Sequence, residues 1–136
     1  MPIRRFLAAL LATTALAATA RLHATDETVK PNFSYALPNV PGKSIVAVEV
    51  NYPPGGASAP HHHARSAFIY AYVVSGEIES QVDDGPARVY KAGESFHEVP
   101  GAHHRISRNA SKTAPAKLLA VFIVDTGDAP LTTADQ

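Results

Sequence analysis

From Ile45 onward, apolar and polar positions alternate in short stretches separated by turn residues. In Ile45 to Tyr52, the side chains of Val46, Val48, Val50 and Tyr52 share one face, because successive strand residues point to opposite sides. Pro53-Pro54-Gly55-Gly56 ends that strand. Phe68 to Val74 is aromatic and β-branched, a composition that suits a pleated, packed surface. Ser75-Gly76 then turns the chain into Glu77 to Val82, where Ile78 and Val82 alternate with Glu77, Glu79 and Gln81. Further turns at Asp83-Asp84-Gly85-Pro86, Lys91-Ala92-Gly93 and Pro100-Gly101 separate short extended runs through Tyr90, Ser95 to Val99 and His104 to Arg108. Lys117 to Asp125 is apolar on both faces, which predicts a central strand or one covered by another subunit. Roughly eight short strands without a helical period predict an all-β domain, a closed barrel or double-sheet jelly roll. Residues 25–44 hold several prolines and read as an arm on the barrel, 45–125 as the domain, and 126–136 as a polar tail.

The N-terminus breaks this pattern. Arg4 and Arg5 precede an apolar run from Phe6 to Ala20 that ends in small residues. That is the layout of a secretory signal peptide over residues 1–24, with cleavage near Ala20 or Ala24. The alternative, an uncleaved anchor, needs a run of about 20 residues, longer than this one. The mature protein is therefore expected in the periplasm or outside the cell. Arg4-Arg5 faintly matches a twin-arginine export signal. With no cysteine in the chain, disulfides cannot staple the domain even there. Twelve basic and twelve acidic side chains leave no net charge, which argues against nucleic acid as a partner.

Seven histidines occur, three of them consecutive. On a strand, His61 and His63 point one way and His62 the other, so the outer two can grip one ion. A solvated histidine run satisfies the same pattern. His104 changes the balance, because it follows a tight turn at Pro100-Gly101.

At this point the chain resembles the cupin family in two motifs, in order and spacing. Gly55, five residues, then His61 and His63 match the first, which continues into Tyr72-Val73-Val74-Ser75-Gly76-Glu77. Gly93 through Gly101 to His104 matches the second, with Val99 at the usual proline and Pro100 one place later. Asn109 resembles the closing asparagine, also one place late. The resemblance implies a single-domain cupin barrel with His61, His63 and His104 as ligands of a divalent transition metal. Fe(II) or Mn(II) is the expected ion, and Zn, Ni or Cu also suits neutral imidazole. Many cupins carry a glutamate four or five residues after the second histidine, where this chain has Ala67, Phe68 and Ile69. Glu98 is the candidate replacement, as a fourth ligand or a general base, because it shares a strand face with Phe96. The competing reading makes Glu98 an exposed acid at a strand end.

Phe68, Tyr70 and Tyr72 share a face, and if they line the barrel Tyr70 and Tyr72 become candidate catalytic hydroxyls; core packing with the hydroxyls reaching the surface fits the same pattern. Arg105 and Arg108 flank the His104 strand and could attract an anion, while His97 and His103 read as structural. Three neutral imidazoles leave the charge of an ion uncompensated and positions open, favouring an anionic substrate beside water or dioxygen. The expected function is a metal-dependent dioxygenase, an oxidoreductase acting on a small acidic or phenolic molecule. A lyase or isomerase using the metal as Lewis acid, or a non-enzymatic ligand- or metal-binding cupin, stays open beside it. The apolar segment Lys117 to Asp125 predicts a homodimer.

Overall fold

The computed structural model describes residues 27–136; the expected signal peptide lies outside them. Ten strands follow in chain order: β1 Thr28–Ala36, β2 Lys43–Tyr52, β3 His61–His63, β4 Phe68–Ser75 and β5 Glu77–Val82. They continue as β6 Arg88–Lys91, β7 Ser95–Glu98, β8 His103–Asn109, β9 Ala116–Asp125 and β10 Thr132–Ala134. They form two five-stranded antiparallel sheets, ordered β1-β2-β9-β4-β7 and β10-β3-β8-β5-β6. This is the expected all-β double-sheet jelly roll. Among the described residues, no helix is long and apolar enough to cross a membrane.

The inner faces follow from strand alternation. Val50 and Tyr52 of β2, Ala71 and Val73 of β4, Ile78 of β5, Phe96 of β7 and Leu118 of β9 form one buried cluster. Ile69, Ala120, Phe122 and Val124 form a second. Each large apolar side chain so buried contributes about 1.5–3 kcal/mol. Gly76 makes the sharp β4–β5 connection with φ +73°, and a Cβ there would stand 2.6 Å from the Pro115 carbonyl oxygen. Only glycine meets both conditions.

Two strands lie where the sequence pattern reads as arm and tail. Within the arm, β1 pairs along β2, with an irregularity between Pro31 and Phe33. A strand holding Pro31 is tolerated because β1 sits at the sheet edge. Within the tail, β10 pairs with β3, placing Thr132 opposite His63 and Ala134 opposite His61. The first sheet has a central β9, whose outer face bears Leu119, Val121 and Ile123, all half-buried.

Candidate metal centre

β3 and β8 pair so that His61 stands opposite His104 and His62 opposite His103. The pleat sends the first pair into the barrel and the second out of it. Further along β8, the register against β5 shifts between Ile106 and His104, so Arg105 is an extra residue. That bulge returns Ser107 and Asn109 to the same buried side as His104, a side that strict alternation would deny them.

Ligand-capable atoms of His61, His63 and His104 all lie within 4.8 Å of one another. Each ring is held from behind or beside. His61 Nδ1 is 2.7 Å from the Ala59 carbonyl oxygen. His63 Nδ1 is 3.2 Å from the Leu131 carbonyl oxygen and 3.1 Å from Thr132 Oγ1. His104 Nε2 is 2.8 Å from Ser80 Oγ, and Phe96 packs edge-on against the ring. Fixing one ring nitrogen in this way sets where the other points.

Glu98, at the end of β7, is 2 % exposed and faces the histidines. Its Oε1 is 3.1 Å from His104 Nδ1 and its Oε2 is 3.3 Å from His63 Nε2. The second contact lacks hydrogen-bond geometry, so Oε2 is a buried oxygen without a hydrogen bond. Burial alone would raise the Glu98 carboxyl, but the His104 and His63 imidazoles pull it the other way, to about 2. Burial, reinforced by the neighbouring His104 and His63 rings, holds His61 at about 4 against the restoring contact with Ala59. A neutral imidazole at His61 and an ionised, incompletely bonded carboxylate at Glu98 form a donor set that fits a divalent transition ion. The other two imidazoles complete it.

These groups open into a cavity of about 290 Å³ whose walls are mostly apolar, among them Val48, Ile69, Ala120, Phe122 and Leu131. Tyr52 supplies a polar end that sequence reasoning assigned no role. It is 2 % exposed, and its hydroxyl is 2.7 Å from Ser107 Oγ and 2.8 Å from Ser58 Oγ. Burial raises the Tyr52 phenol, so it keeps its proton. The available signal was a polar aromatic residue on the apolar face of β2, just before a turn.

The tyrosines offered as candidate catalytic hydroxyls do not line the cavity. On β4 the buried positions are Ile69, Ala71 and Val73, so Tyr70 and Tyr72 point away from the cavity, and Tyr70 is 45 % exposed. Phe68 also faces out and stacks on His97. Aliphatic and small side chains fill the core while phenol hydroxyls keep their water, which is the cheaper arrangement when both faces are apolar enough to be buried. Arg105 and Arg108 are likewise directed to the surface, where they pair with Asp84 at 2.9 Å and Glu79 at 2.6 Å. Neither arginine lines the cavity. Asn109 is 5 % exposed, donating from Nδ2 to the Pro53 and Ala114 carbonyl oxygens. Its place is structural, tying the end of β8 to two neighbouring loops.

The Cupin domain family matches residues 48–122, more than half of the chain. The chain is a cupin. Among solved structures, an uncharacterized conserved protein with a double-stranded β-helix domain from Klebsiella pneumoniae aligns with TM-score 0.63 and 20 % identity. That alignment covers 85 % of this chain and 90 % of the other. A recombinant oxalate oxidase in complex with glycolate aligns with TM-score 0.56 and 26 % identity, over 66 % of this chain and 45 % of that one. The DMSP lyase DddQ from Ruegeria pomeroyi aligns with TM-score 0.56 and 22 % identity, over 66 % and 42 %. The cupin thus spans less than half the length of the oxalate oxidase and lyase chains it matches. Curated proteins yield no match.

Proposed function

We propose that this cupin is an exported, metal-dependent oxygenase for a small carboxylic acid or phenol, with His61, His63, His104 and Glu98 as ligands of Fe(II) or Mn(II). The observation that carries the reading is the buried Glu98 carboxylate, set between two of three converging imidazoles at the wall of an apolar cavity. Glu98 would supply from β7 the negative charge that the first motif lacks. Held at about 2, its carboxyl is a weak proton acceptor at neutral pH, which favours a ligand over a general base. A bound ion of this kind supplies open coordination positions and one-electron chemistry with dioxygen.

The protein's own groups do the rest. The cavity volume of about 290 Å³ limits the substrate to a small molecule. Among the described residues, no lysine or arginine lines that cavity, so an anionic substrate would find its positive charge at the metal alone. The Tyr52 hydroxyl, kept protonated, offers a hydrogen bond at the cavity wall. Apolar walls exclude water around the reacting groups. The similarity to an oxalate oxidase in complex with glycolate supports a small carboxylate as substrate class.

The test is anaerobic loading with Fe(II) or Mn(II), followed by oxygen-uptake measurements across small mono- and dicarboxylic acids and phenols. Stoichiometric uptake of metal with substrate-dependent oxygen consumption is expected. Turnover that proceeds equally without oxygen would replace this reading with the lyase or isomerase one, which the lyase neighbour keeps in view. Ligand binding without turnover would leave a non-enzymatic cupin.

Two further parts of the proposal concern the whole protein. The outer face of the first sheet carries cross-strand rows in which Ile123 stands between Ile45 and Phe68, and Val121 between Ala47 and Tyr70. An apolar face of that extent suits a second copy packed isologously, giving a homodimer. A monomeric mass by light scattering at micromolar concentration would remove this part. Export is tested by the N-terminal mass of protein recovered from the periplasm, expected to begin just after Ala20 or Ala24.

A further inference from the structure

The outward side of the β3–β8 pair carries a second histidine cluster. His62 and His103 stack with ring centroids 4.3 Å apart and planes only 3° from parallel. Asp135, just beyond β10, spans both rings: Oδ1 lies 3.2 Å from His62 Nδ1 and Oδ2 lies 2.6 Å from His103 Nε2. Its backbone N–H donates to the Pro60 carbonyl oxygen at 2.9 Å, which holds the carboxylate at the ring nitrogens. Ligand-capable atoms of the three residues all fall within 4.8 Å of one another. They come from three separate segments, and the pleat keeps them apart from the inner centre.

We propose that His62, His103 and Asp135 form a second, surface site for a divalent transition ion such as Zn(II), which staples the C-terminal strand to the barrel. Two imidazoles and one carboxylate are ligands that Zn(II) accepts, with remaining positions left to water. An ion lies near the plane of each imidazole it binds, so the parallel rings must tilt to share one. His62, whose side chain is 52 % exposed, has the room to do so. Without an ion, the carboxylate bridges the rings by hydrogen bonds and holds the strand more weakly. The site is therefore exchangeable, unlike the buried one.

The staple bears on the cavity. Pro130, Leu131 and Thr132, just before Asp135, wall the cavity, and Leu131 and Thr132 also contact His63 Nδ1. Fixing Asp135 to β3 and β8 thus fixes the backbone that orients one inner histidine.

The test uses untagged, metal-stripped protein titrated with Zn(II) by calorimetry and with Co(II) by visible absorption. Four forms are compared: the unaltered protein, His62→Gln, Asp135→Asn, and the double variant His61→Ala/His63→Ala. The expected result is one equivalent of metal that survives in the double variant and disappears in both His62→Gln and Asp135→Asn. Its binding should also protect the C-terminus from carboxypeptidase digestion. If no equivalent shows that dependence, the proposal is wrong. Loss of metal only in the double variant would leave the inner centre standing and overturn the outer one, so the two readings fail separately.

Discussion

The two faces of the β3–β8 pair carry the same side chain at adjacent positions and place it in opposite surroundings. On the inner face, His61 and His104 are 7 % and 3 % exposed, and a buried carboxylate stands beside them. On the outer face, His62 and His103 stack in partial contact with water, and their carboxylate comes from the end of the chain. Residue type does not separate these two clusters. Burial does: it drives the His61 imidazole down to about 4, whereas the His62 side chain is 52 % exposed. The comparison teaches that alternation divides one histidine run into a buried cluster and a solvent-facing one.

The sharpest way to break the comparison is to remove an inner ligand. His104→Ala should abolish tight metal binding and lower any metal-dependent turnover by at least about a thousandfold, whereas His103→Ala should leave turnover within about threefold. Metal analysis of both variants after dialysis, together with their activity, checks this. Equal losses in the two variants would erase the distinction between faces.

Acid should probe the same contrast in the metal-free protein. His61 has a folded value of about 4 against about 6.5 unfolded, so between those pH values the unfolded chain takes up a proton that the folded chain refuses. Stability therefore rises with pH across that window and is lost as pH falls from 6.5 towards 4, by about 3 kcal/mol when complete. Glu98, depressed to about 2 from 4.5, adds a separate loss only as pH falls from 4.5 towards 2. Urea denaturation across pH 7 to 4 should show the first slope, and His61→Gln should flatten it. A metal-free protein equally stable at both ends would contradict the burial argument.

Glu98→Gln tests the carboxylate without changing its shape. Removing the charged ligand should weaken metal binding by at least about ten- to a hundredfold, the loss already caused by altering a residue that only supports metal ligands. The amide can keep its contact with His104 and so keep the fold intact, and thermal unfolding with and without metal separates the two effects. Unchanged affinity would return Glu98 to a structural role.

The histidine triad was legible because each strand's own geometry is local and the two-motif resemblance joined the strands. His-x-His on a strand fixes a shared direction, and a Pro-Gly turn with Gly101 at φ +81° fixes how β8 starts before His104. Glu98 was legible through its alternation with Phe96. Tyr70 and Tyr72 were misplaced because β4 is apolar on both sides, so period-two alternation cannot say which face turns inward. That choice is made by packing: Ile69 clusters with Phe122 of the neighbouring β9, and Ala71 and Val73 cluster with Leu118 and with Ile78 of the opposite sheet. β10 was illegible for a different reason. Three residues, Thr132-Thr133-Ala134, carry no pattern of their own and become a strand only by pairing with β3, some 70 positions earlier.

The smallest expected effects separate a tyrosine that reaches the cavity from one that does not. Tyr52→Phe removes a buried hydroxyl that contacts both Ser107 and Ser58, leaving those two groups to find other partners. It should cost about 1–2 kcal/mol in stability and, where the substrate takes a hydrogen bond from this phenol, raise KM more than it lowers kcat. Tyr70→Phe removes a hydroxyl on the outer face of β4, 45 % exposed, and should change neither stability nor kcat/KM by more than about twofold. Chemical denaturation and steady-state kinetics on both variants decide between them. A tenfold loss of kcat/KM in Tyr70→Phe with Tyr52→Phe unaffected would mean that the reacting molecule approaches from the outer sheet, and the cavity beside His61 would then be the wrong place to look for chemistry.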